Sequence, residues 1–384
     1  MKKYLLYLFV FAPLAVSAQV PSGFYRVQNN ETHRYISIID TYASFDIGAS
    51  YPDQVRADLN AMPMLSDFEG MVSFNPATIC YLKDCGDGVY NLSGQGMDLY
   101  AQTGRYLNIK KGNSAGTYQL YAEASGGGLT VKRYLIDNDL LSDVPLISKS
   151  GAGTEADWKF QSLDPSSNDQ YFGIKPDITA FSDGSYWATL YAGFPCKPYA
   201  TTTKAYYISK VDNDFGVAVL AELPHDGVIA PQVPVLIQCT GATPKENKMT
   251  LLDPNTTGVP QNNQLKGNYY CNDQKNKNKH HNVTAYNAAT MRMLGQTTDG
   301  KLAFVKSNIK YLPANKAYLT VTSSAPDVLT VVTQEEYEQM TTGIEEMTSP
   351  VNNGQKVIYD LQGRRITAPS KGLYIVNGKK MVIK

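Results

Sequence analysis

Histidine and cysteine are scarce in this sequence, and their scarcity limits the chemistry it can carry. The 384 residues include four histidines, which leaves few candidates for acid–base or metal chemistry by imidazole. They include five cysteines, an odd number that cannot all pair within one chain, so a complete disulfide framework is excluded. Cys80 and Cys85 are close enough in sequence for a local bridge, which would depend on their geometry.

Motifs of common catalytic and metal sites are also missing. The sequence has no His-Glu-x-x-His helix and no Gly-x-x-x-x-Gly-Lys phosphate loop, and we predict no serine nucleophile elbow. Cys271, His280 and His281 come nearest to a set of metal ligands, but the polar run at residues 272–282 favours a solvated loop. We therefore expect no catalytic residues, no metal and no cofactor.

The balance of charges and the residue composition favour an all-β protein without a nucleic-acid partner. Lysine plus arginine and aspartate plus glutamate each number 35, so the formal net charge is zero and no basic excess would attract nucleic acid. Tyrosine is abundant at 27 and glycine at 30, against 2 tryptophans. This mixture is typical of twisted strands joined by polar turns.

Residues 1–18 have the features of a cleavable secretory signal peptide. Lys2 and Lys3 precede an apolar stretch at residues 4–16, which is too short to span a bilayer comfortably. Val16-Ser17-Ala18 then provides small residues for signal peptidase, so we expect a mature chain that begins at Gln19. The predictions are export from the cytoplasm and no transmembrane segment in the mature chain.

Two stretches of the N-terminal part repeat a pattern. Arg34-Tyr35-Ile36-Ser37-Ile38 matches Arg105-Tyr106-Leu107-Asn108-Ile109, and a strand that begins with glycine and an apolar residue precedes each copy. The match predicts a repeated β unit. Between the copies, residues 52–65 have apolar residues at helical spacing and predict a short helix.

Two consecutive strand patterns in the N-terminal part carry a family resemblance: Arg105-Tyr106-Leu107-Asn108-Ile109 and Gly116-Thr117-Tyr118-Gln119-Leu120-Tyr121. They are similar to the Leu-Asp-Val and Gly-x-x-Val-Gln-Leu-Tyr strands of one repeat of a ricin-type β-trefoil, and residues 23–161 resemble that family. In that family the aspartate and the following strand hold a sugar, which implies Asn108, Gln119 and Tyr121 as ligand-binding residues. The family's Gln-x-Trp motif is absent, although residues 157–160 could supply the closing strand. The alternative is that these aromatic side chains only fill a β core.

A second β domain is predicted after residue 165. Pro165-Ser166-Ser167-Asn168-Asp169 is the best boundary signal in the chain, and it separates a β-trefoil-like domain, residues 19–165, from residues 166–340. Short strands between turn residues favour an antiparallel β-sandwich or barrel there. The strand candidates are residues 187–191, 205–208, 217–220, 235–238, 291–294, 301–304 and 316–319. Thr333-Gln334-Glu335-Glu336 is a capping box that predicts a short helix over residues 334–340.

The C-terminal end predicts a linker and a small β-hairpin or meander. Residues 341–356 are polar and typical of a linker, and residues 357–384 contain strand patterns around an Asn377-Gly378 turn. The order Ile-Tyr-Asp-Leu-Gln-Gly-Arg-Arg, then Lys-Gly-Leu-Tyr-Ile-Val-Asn-Gly-Lys-Lys, resembles the C-terminal sorting domains of type IX secretion cargo in Bacteroidetes. The resemblance implies the type IX secretion machinery as a partner, transport across the outer membrane and attachment to the cell surface.

Together these patterns predict an exported, non-catalytic binding or adhesion protein. Its location would be the medium or the outer-membrane surface, and its partner there a glycan or a protein ligand. Two alternatives stay open. One is a secreted glycoside-acting hydrolase, because paired glycosidase carboxylates carry no sequence signature. The other is a purely structural surface protein.

Overall fold

A computed structural model of the chain describes residues 20–37, 58–60, 72–94, 107–126, 128–137, 147–149, 151–178, 183–258, 260, 262–271, 283–341, 358–360, 364–367, 369, 371–376 and 379–383. Several predictions made from the sequence fall outside these residues: the signal peptide at residues 1–18, the linker beyond Thr341, the turn at Asn377-Gly378, and His280 with His281.

Strands dominate the described residues, so the all-β prediction is confirmed. The N-terminal region forms one antiparallel sheet of ten strands. Its strands are β1 (Gly23–Asn29), β2 (Tyr35–Ser37), β3 (Asp58–Asn60), β4 (Cys80–Gly86), β5 (Val89–Gly94), β6 (Leu107–Lys111), β7 (Tyr118–Gly126), β8 (Leu129–Ile136), β9 (Ile147–Lys149) and β10 (Trp158–Ser162).

Six of these strands form a nearly closed, barrel-like ring. β1, β4, β5, β6 and β7 pair in that order, and β10 pairs with both β1 and β7. The contact between β10 and β7 is a single residue pair, Trp158 with Tyr118. Alternate residues point into the ring, where Val27, Leu120 and Trp158 pack in one apolar cluster. Trp158 is 0% exposed and donates its indole N–H to the Leu135 carbonyl at 3.1 Å, so its polar atom is satisfied within the core.

The segment between the two repeat copies differs from the prediction. Residues 52–65 were predicted as a helix, but Asp58–Asn60 within them is strand β3, which pairs with β2. Pairing with a neighbouring strand outweighs helical spacing in so short a segment. The two copies also occupy different places: Tyr35–Ser37 lies on a side branch of β1, whereas Leu107–Lys111 belongs to the ring.

Most strands that follow residue 165 form two further sheets. A sheet of three strands has the order β11-β17-β13, and a sheet of nine has the order β12-β16-β14-β15-β22-β20-β19-β21-β18. These strands are β11 (Phe172–Gly173), β12 (Tyr186–Leu190), β13 (Cys196–Pro198), β14 (Lys204–Asp212), β15 (Val217–Glu222), β16 (Val235–Cys239), β17 (Lys248–Leu251), β18 (Leu265–Asn268), β19 (Met291–Gln296), β20 (Leu302–Val305), β21 (Lys316–Thr320) and β22 (Val328–Thr333). A one-turn helix, α1 (Pro224–Gly227), follows β15.

One pairing departs from the antiparallel arrangement predicted for this region. β15 runs parallel to β22, with Val217 opposite Thr330 and Leu220 opposite Thr333. A parallel pair needs a long crossover between its strands, and here more than a hundred residues separate them. Local strand patterns carry no information about such a distant partner.

The two regions pack directly against each other. Arg26 on β1 is 0% exposed, and its guanidinium donates to Thr78 Oγ1 at 3.2 Å and to the Tyr171 carbonyl at 2.9 Å. One apolar cluster contains Ile79 of the first region and Phe172 of the second. Residues 165–169, which connect the two regions, lie in a turn and are exposed or half-buried. The predicted domain boundary therefore sits in a turn beside a shared core.

The capping box and the C-terminal strands lie where the sequence predicts them. Helix α2 (Gln334–Thr341) begins after Thr333, whose hydroxyl accepts from Glu336 N at 3.2 Å while its own N–H donates to Glu336 Oε2 at 2.7 Å. The last sheet has the order β24-β23-β25-β26. Its strands are β23 (Ile358–Tyr359), β24 (Arg365–Ile366), β25 (Gly372–Val376) and β26 (Lys379–Ile383). β25 and β26 form the predicted hairpin, but β23 lies between β24 and β25, so the order is not that of a simple meander.

Candidate functional site

Two of the three predicted ligand-binding residues meet on the outer face of the ring. Asn108 on β6 lies directly opposite Tyr121 on β7, and Tyr121 lies opposite Tyr134 on β8. Because side chains alternate along a strand, Lys110 and Lys132 share this face. We call Asn108, Lys110, Tyr121, Lys132 and Tyr134 the tyrosine face. Leu107, Leu120 and Leu135 point the other way, into the core.

The rings of Tyr121 and Tyr134 form a pair that is flanked by lysines. Tyr121 is half-buried, whereas Tyr134 is 8% exposed and packs in a small apolar cluster with Ile136 and Ala156, so Tyr121 is the ring that faces solvent. The centroids of Tyr121 and Tyr134 are 5.4 Å apart, with an angle of 39° between the ring planes. Lys132 Nζ lies 4.7 Å from the Tyr121 centroid, and Lys110 Nζ lies 4.5 Å from the Tyr134 centroid. Lys110 also donates to the Tyr134 hydroxyl at 3.0 Å. The ammonium groups are held by cation–π attraction, and that places positive charge beside an aromatic surface.

Asn108 is a polar group of the tyrosine face without a hydrogen-bond partner among the described residues. Both Asn108 and Tyr121 are half-buried, so each presents part of its side chain to solvent. Within the described part of the chain, the Asn108 amide makes no hydrogen bond to another residue. It therefore keeps both a donor and an acceptor for a ligand.

Gln119, the third predicted ligand-binding residue, is buried rather than exposed to solvent. Its side chain is on the same sheet face, but it is 1% exposed because residues 151–157 cover this end. Its amide nitrogen donates to Asp157 Oδ1 at 2.9 Å and to the Gly153 carbonyl at 3.3 Å. Gln119 therefore ties the covering segment to β7, and the sequence pattern gave no sign of this.

Asp157 organises the turn between β6 and β7. Its carboxylate accepts from Asn113 N at 3.0 Å and Ser114 N at 2.8 Å, in addition to Gln119. Burial raises the pKa of Asp157, but hydrogen bonds from Asn113, Gln119 and Ser114 outweigh burial, so the pKa lies below its usual value. The charged form therefore fixes the turn that joins the two strands of the site.

The same turn contains a Gly-x-Ser-x-Gly spacing, at residues 112–116, that is unrelated to a nucleophile elbow. An elbow joins a strand to a helix, whereas this turn joins two antiparallel strands of a hairpin. Gly116 has a positive φ of 72°, which suits a tight turn. At residues 112–116 the Gly-x-Ser-x-Gly spacing therefore belongs to a hairpin turn.

Lys110, Lys132 and Tyr134 are the residues of this face that sequence reasoning missed. The signal was available in part, because Thr130, Lys132 and Tyr134 alternate along a segment with a strand pattern. What the sequence could not provide was the register that sets Tyr134 beside Tyr121.

In the described part of the chain, the histidine, cysteine and acidic residues form no metal or disulfide site. All five cysteines are free, and Cys80 and Cys85 lie in one strand, five residues and about 16 Å apart, beyond the reach of a disulfide. Cys80, Cys196 and Cys239 are buried, and we call them the buried thiols. In the described residues no three His, Cys, Asp or Glu side chains converge as metal ligands would.

Comparisons with known proteins identify no relative: no family model, curated protein or solved structure matches the chain. Within the described ranges, no helix has the length and apolar character needed to cross a membrane.

Proposed function

We propose that this chain is an exported, non-catalytic binding or adhesion protein whose first region binds glycans at the tyrosine face. The observation that carries the proposal is the tyrosine pair beside the uncommitted Asn108 amide. The exposed part of the Tyr121 ring can stack on the apolar face of a pyranose, and the Asn108 amide can bind its hydroxyls. Asn108 lacks the charge of the family's aspartate, so each of its hydrogen bonds is weaker than a charge-assisted one.

The order of strands supports a β-trefoil for this region. Side branch β2–β3 lies between ring strands β1 and β4, and side branch β8–β9 lies between β7 and β10. β5 and β6 are also ring strands, and the twelve residues between them are outside the described part. A trefoil has this alternation of ring strand, hairpin and ring strand three times, and its hairpins frame sugar sites.

The lysines of the tyrosine face favour a sugar that carries acidic groups. Lys110 and Lys132 are exposed, and one acid, Glu123, lies near Lys132 at 3.8 Å. Lys132 Nζ lies over the Tyr121 ring, so a sugar that stacks there has to displace this ammonium. A carboxylate or sulfate on the sugar would pair with the displaced ammonium and offset the lost contact.

A glycan array with the mature chain, residues 19–384, tests this proposal. We expect weak retention of acidic glycans, reduced in Asn108→Ala and in the double variant Lys110→Ala/Lys132→Ala. Lys111→Ala is the matched control, because Lys111 is an exposed neighbour that points to the opposite sheet face. Tyr121→Ala should also reduce retention. If the melting temperature falls sharply in Asn108→Ala and Tyr121→Ala, these side chains serve the core. If the wild type retains no glycan, binding of glycans is refuted.

For export we propose that residues 1–18 direct secretion and that the C-terminal sheet directs sorting to the surface. The support is the hairpin β25–β26 at the position where the resemblance to sorting domains lies. Deletion of residues 357–384 should leave the protein in the periplasm of its host. An unchanged amount of the protein at the cell surface or in the medium after the deletion would refute the sorting role.

A further inference from the structure

An open cleft lies where the two regions meet, away from the tyrosine face. Its volume is about 480 Å³, within the range of clefts that hold small organic ligands. Val72, Phe74 and Asn75, which precede β4, line one side, and the residues after β11 and before β21 line the other. The main chain holds these walls together, since Gly173 N donates to the Ser73 carbonyl at 2.9 Å. The cleft is therefore part of the fold rather than a gap between loosely joined parts.

The two groups of one ion pair in the cleft, Lys316 and Asp177, already bind each other and Thr189. Lys316 Nζ lies 2.5 Å from Asp177 Oδ1 and donates to the Thr189 carbonyl at 3.3 Å. The other oxygen of Asp177 accepts from Thr189 N at 2.7 Å and from its hydroxyl at 3.1 Å. The opposite charges of Lys316 and Asp177 cancel, and their hydrogen bonds stabilise the wall.

Lys175 is the cation that the cleft leaves without an acid. It is exposed, and its ammonium lies 5.1 Å from the Phe74 ring centroid. In the described parts of the chain no carboxylate pairs with Lys175 and no hydrogen bond engages the Asn75 Nδ2 group. The Lys175 ammonium and the Asn75 amide therefore lack a hydrogen-bond acceptor among the described residues. Val72, Ile174 and Leu190 also line the cleft but are already buried, whereas Phe74 is half-buried and presents part of its ring to the cleft.

From this combination we infer that the cleft binds a small organic anion that has a ring-bearing apolar body and one sulfonate or carboxylate group. The ring would pack against Phe74, where burial of the exposed part of both rings supplies affinity. The anionic oxygens would accept from the Lys175 ammonium and the Asn75 amide. The anionic group would have to reach Lys175 to gain a charge interaction, because the second positive group of the cleft, Lys316, is already paired with Asp177.

The probe is 8-anilinonaphthalene-1-sulfonate, with the neutral N-phenyl-1-naphthylamine as its matched analogue. Calorimetry and fluorescence titration of the mature chain should give one sulfonate site per chain. Lys175→Met should weaken binding of the sulfonate about tenfold, the loss expected for one charge-assisted hydrogen bond. Binding of the neutral analogue should change less than about twofold, because Lys175→Met keeps the apolar stem.

Two further variants decide between this cleft and other apolar surface. Ala314→Trp places a large side chain at an exposed lining position and should abolish binding of both probes. Lys266→Met removes an exposed lysine of β18 outside the cleft and should change neither. Absence of sulfonate binding, equal losses in Lys175→Met and Lys266→Met, or full binding by Ala314→Trp would each overturn the inference. None of these variants touches the tyrosine face, so glycan retention should be the same in all of them.

Discussion

Replacement of Asp157 by asparagine separates the structural and ligand-binding roles of the predicted site residues. The Asp157 side chain is buried and accepts three hydrogen bonds, of 2.8–3.0 Å, through its two oxygens. In Asp157→Asn one oxygen becomes an NH₂ group that faces a donor, and the remaining bonds lose their charge. One unsatisfied buried donor costs about 1–3 kcal/mol, so with the lost charge we expect the free energy of unfolding to fall by about 2–4 kcal/mol at pH 7.

The pH dependence follows from the lowered pKa of Asp157. Because the folded-state pKa is below the unfolded value of about 3.9, the stabilisation is present above that value and is lost as pH falls through the folded-state pKa. The difference between wild type and Asp157→Asn should therefore be large at pH 7 and should shrink as the pH falls below about 4.

Urea unfolding followed by tryptophan fluorescence measures both quantities, with Asp164→Asn as the matched control. Asp164 also has a lowered pKa, because Ser166 donates to it through its N–H and its hydroxyl, but it is fully exposed. Its replacement should have a much smaller effect. A loss below about 0.5 kcal/mol in Asp157→Asn, or a loss that is independent of pH, would refute the account of this carboxylate.

Three further predictions concern the rest of the fold. In the native state the exposed Cys85 should react rapidly with a thiol reagent. The buried thiols should react only after unfolding, because burial raises their pKa to about 12. Reaction of a buried thiol before unfolding would contradict this. Arg34→Met should lower the free energy of unfolding by about 3–5 kcal/mol, because it removes the charge partner of the buried Asp137 carboxylate and leaves it only the Thr32 hydroxyl among the described side chains. Chemical denaturation measures the loss, and one below about 1 kcal/mol would contradict this reasoning. Limited proteolysis should cut at residues 164–170. The two fragments should nevertheless elute together in size-exclusion chromatography, because the two regions share a core. Separate elution of the fragments would show that the two regions are stable without each other.

Sequence patterns predicted the features of this fold that depend on neighbouring residues. The capping box at Thr333 works through atoms three residues apart, and the short apolar run at residues 235–237 between turn residues predicts a strand whatever its partner is. Predictions failed where distant pairing decides the structure. Asp58–Asn60 becomes a strand because β2 is beside it, and β15 runs parallel to β22 because of contacts across more than a hundred residues.

The candidate site shows the same limit at the level of single side chains. Residue type and the family resemblance pointed equally to Gln119 and to Asn108, and both lie on the outer face of the hairpin. Their environments differ because residues 151–157 fold back over one end of the face, a contact made across more than thirty residues. Which polar group remains available to a ligand is therefore decided by tertiary structure.

Buried polar groups elsewhere in the chain extend this argument. Arg26 is a fully buried cation that could suggest a functional site, yet its guanidinium is taken up by Thr78 and by main-chain carbonyls on both sides of the region boundary. Burial lowers its pKa to about 10, so it remains charged at neutral pH and keeps these bonds. Asn247 is likewise buried, and its amide donates to three carbonyls. Buried polar side chains such as these already hydrogen-bond within the protein. The groups that could bind a ligand are therefore exposed or half-buried ones that have no hydrogen-bond partner within the described part of the chain. Asn108 on the tyrosine face and Lys175 in the cleft both meet that condition, which is why each carries a separate test.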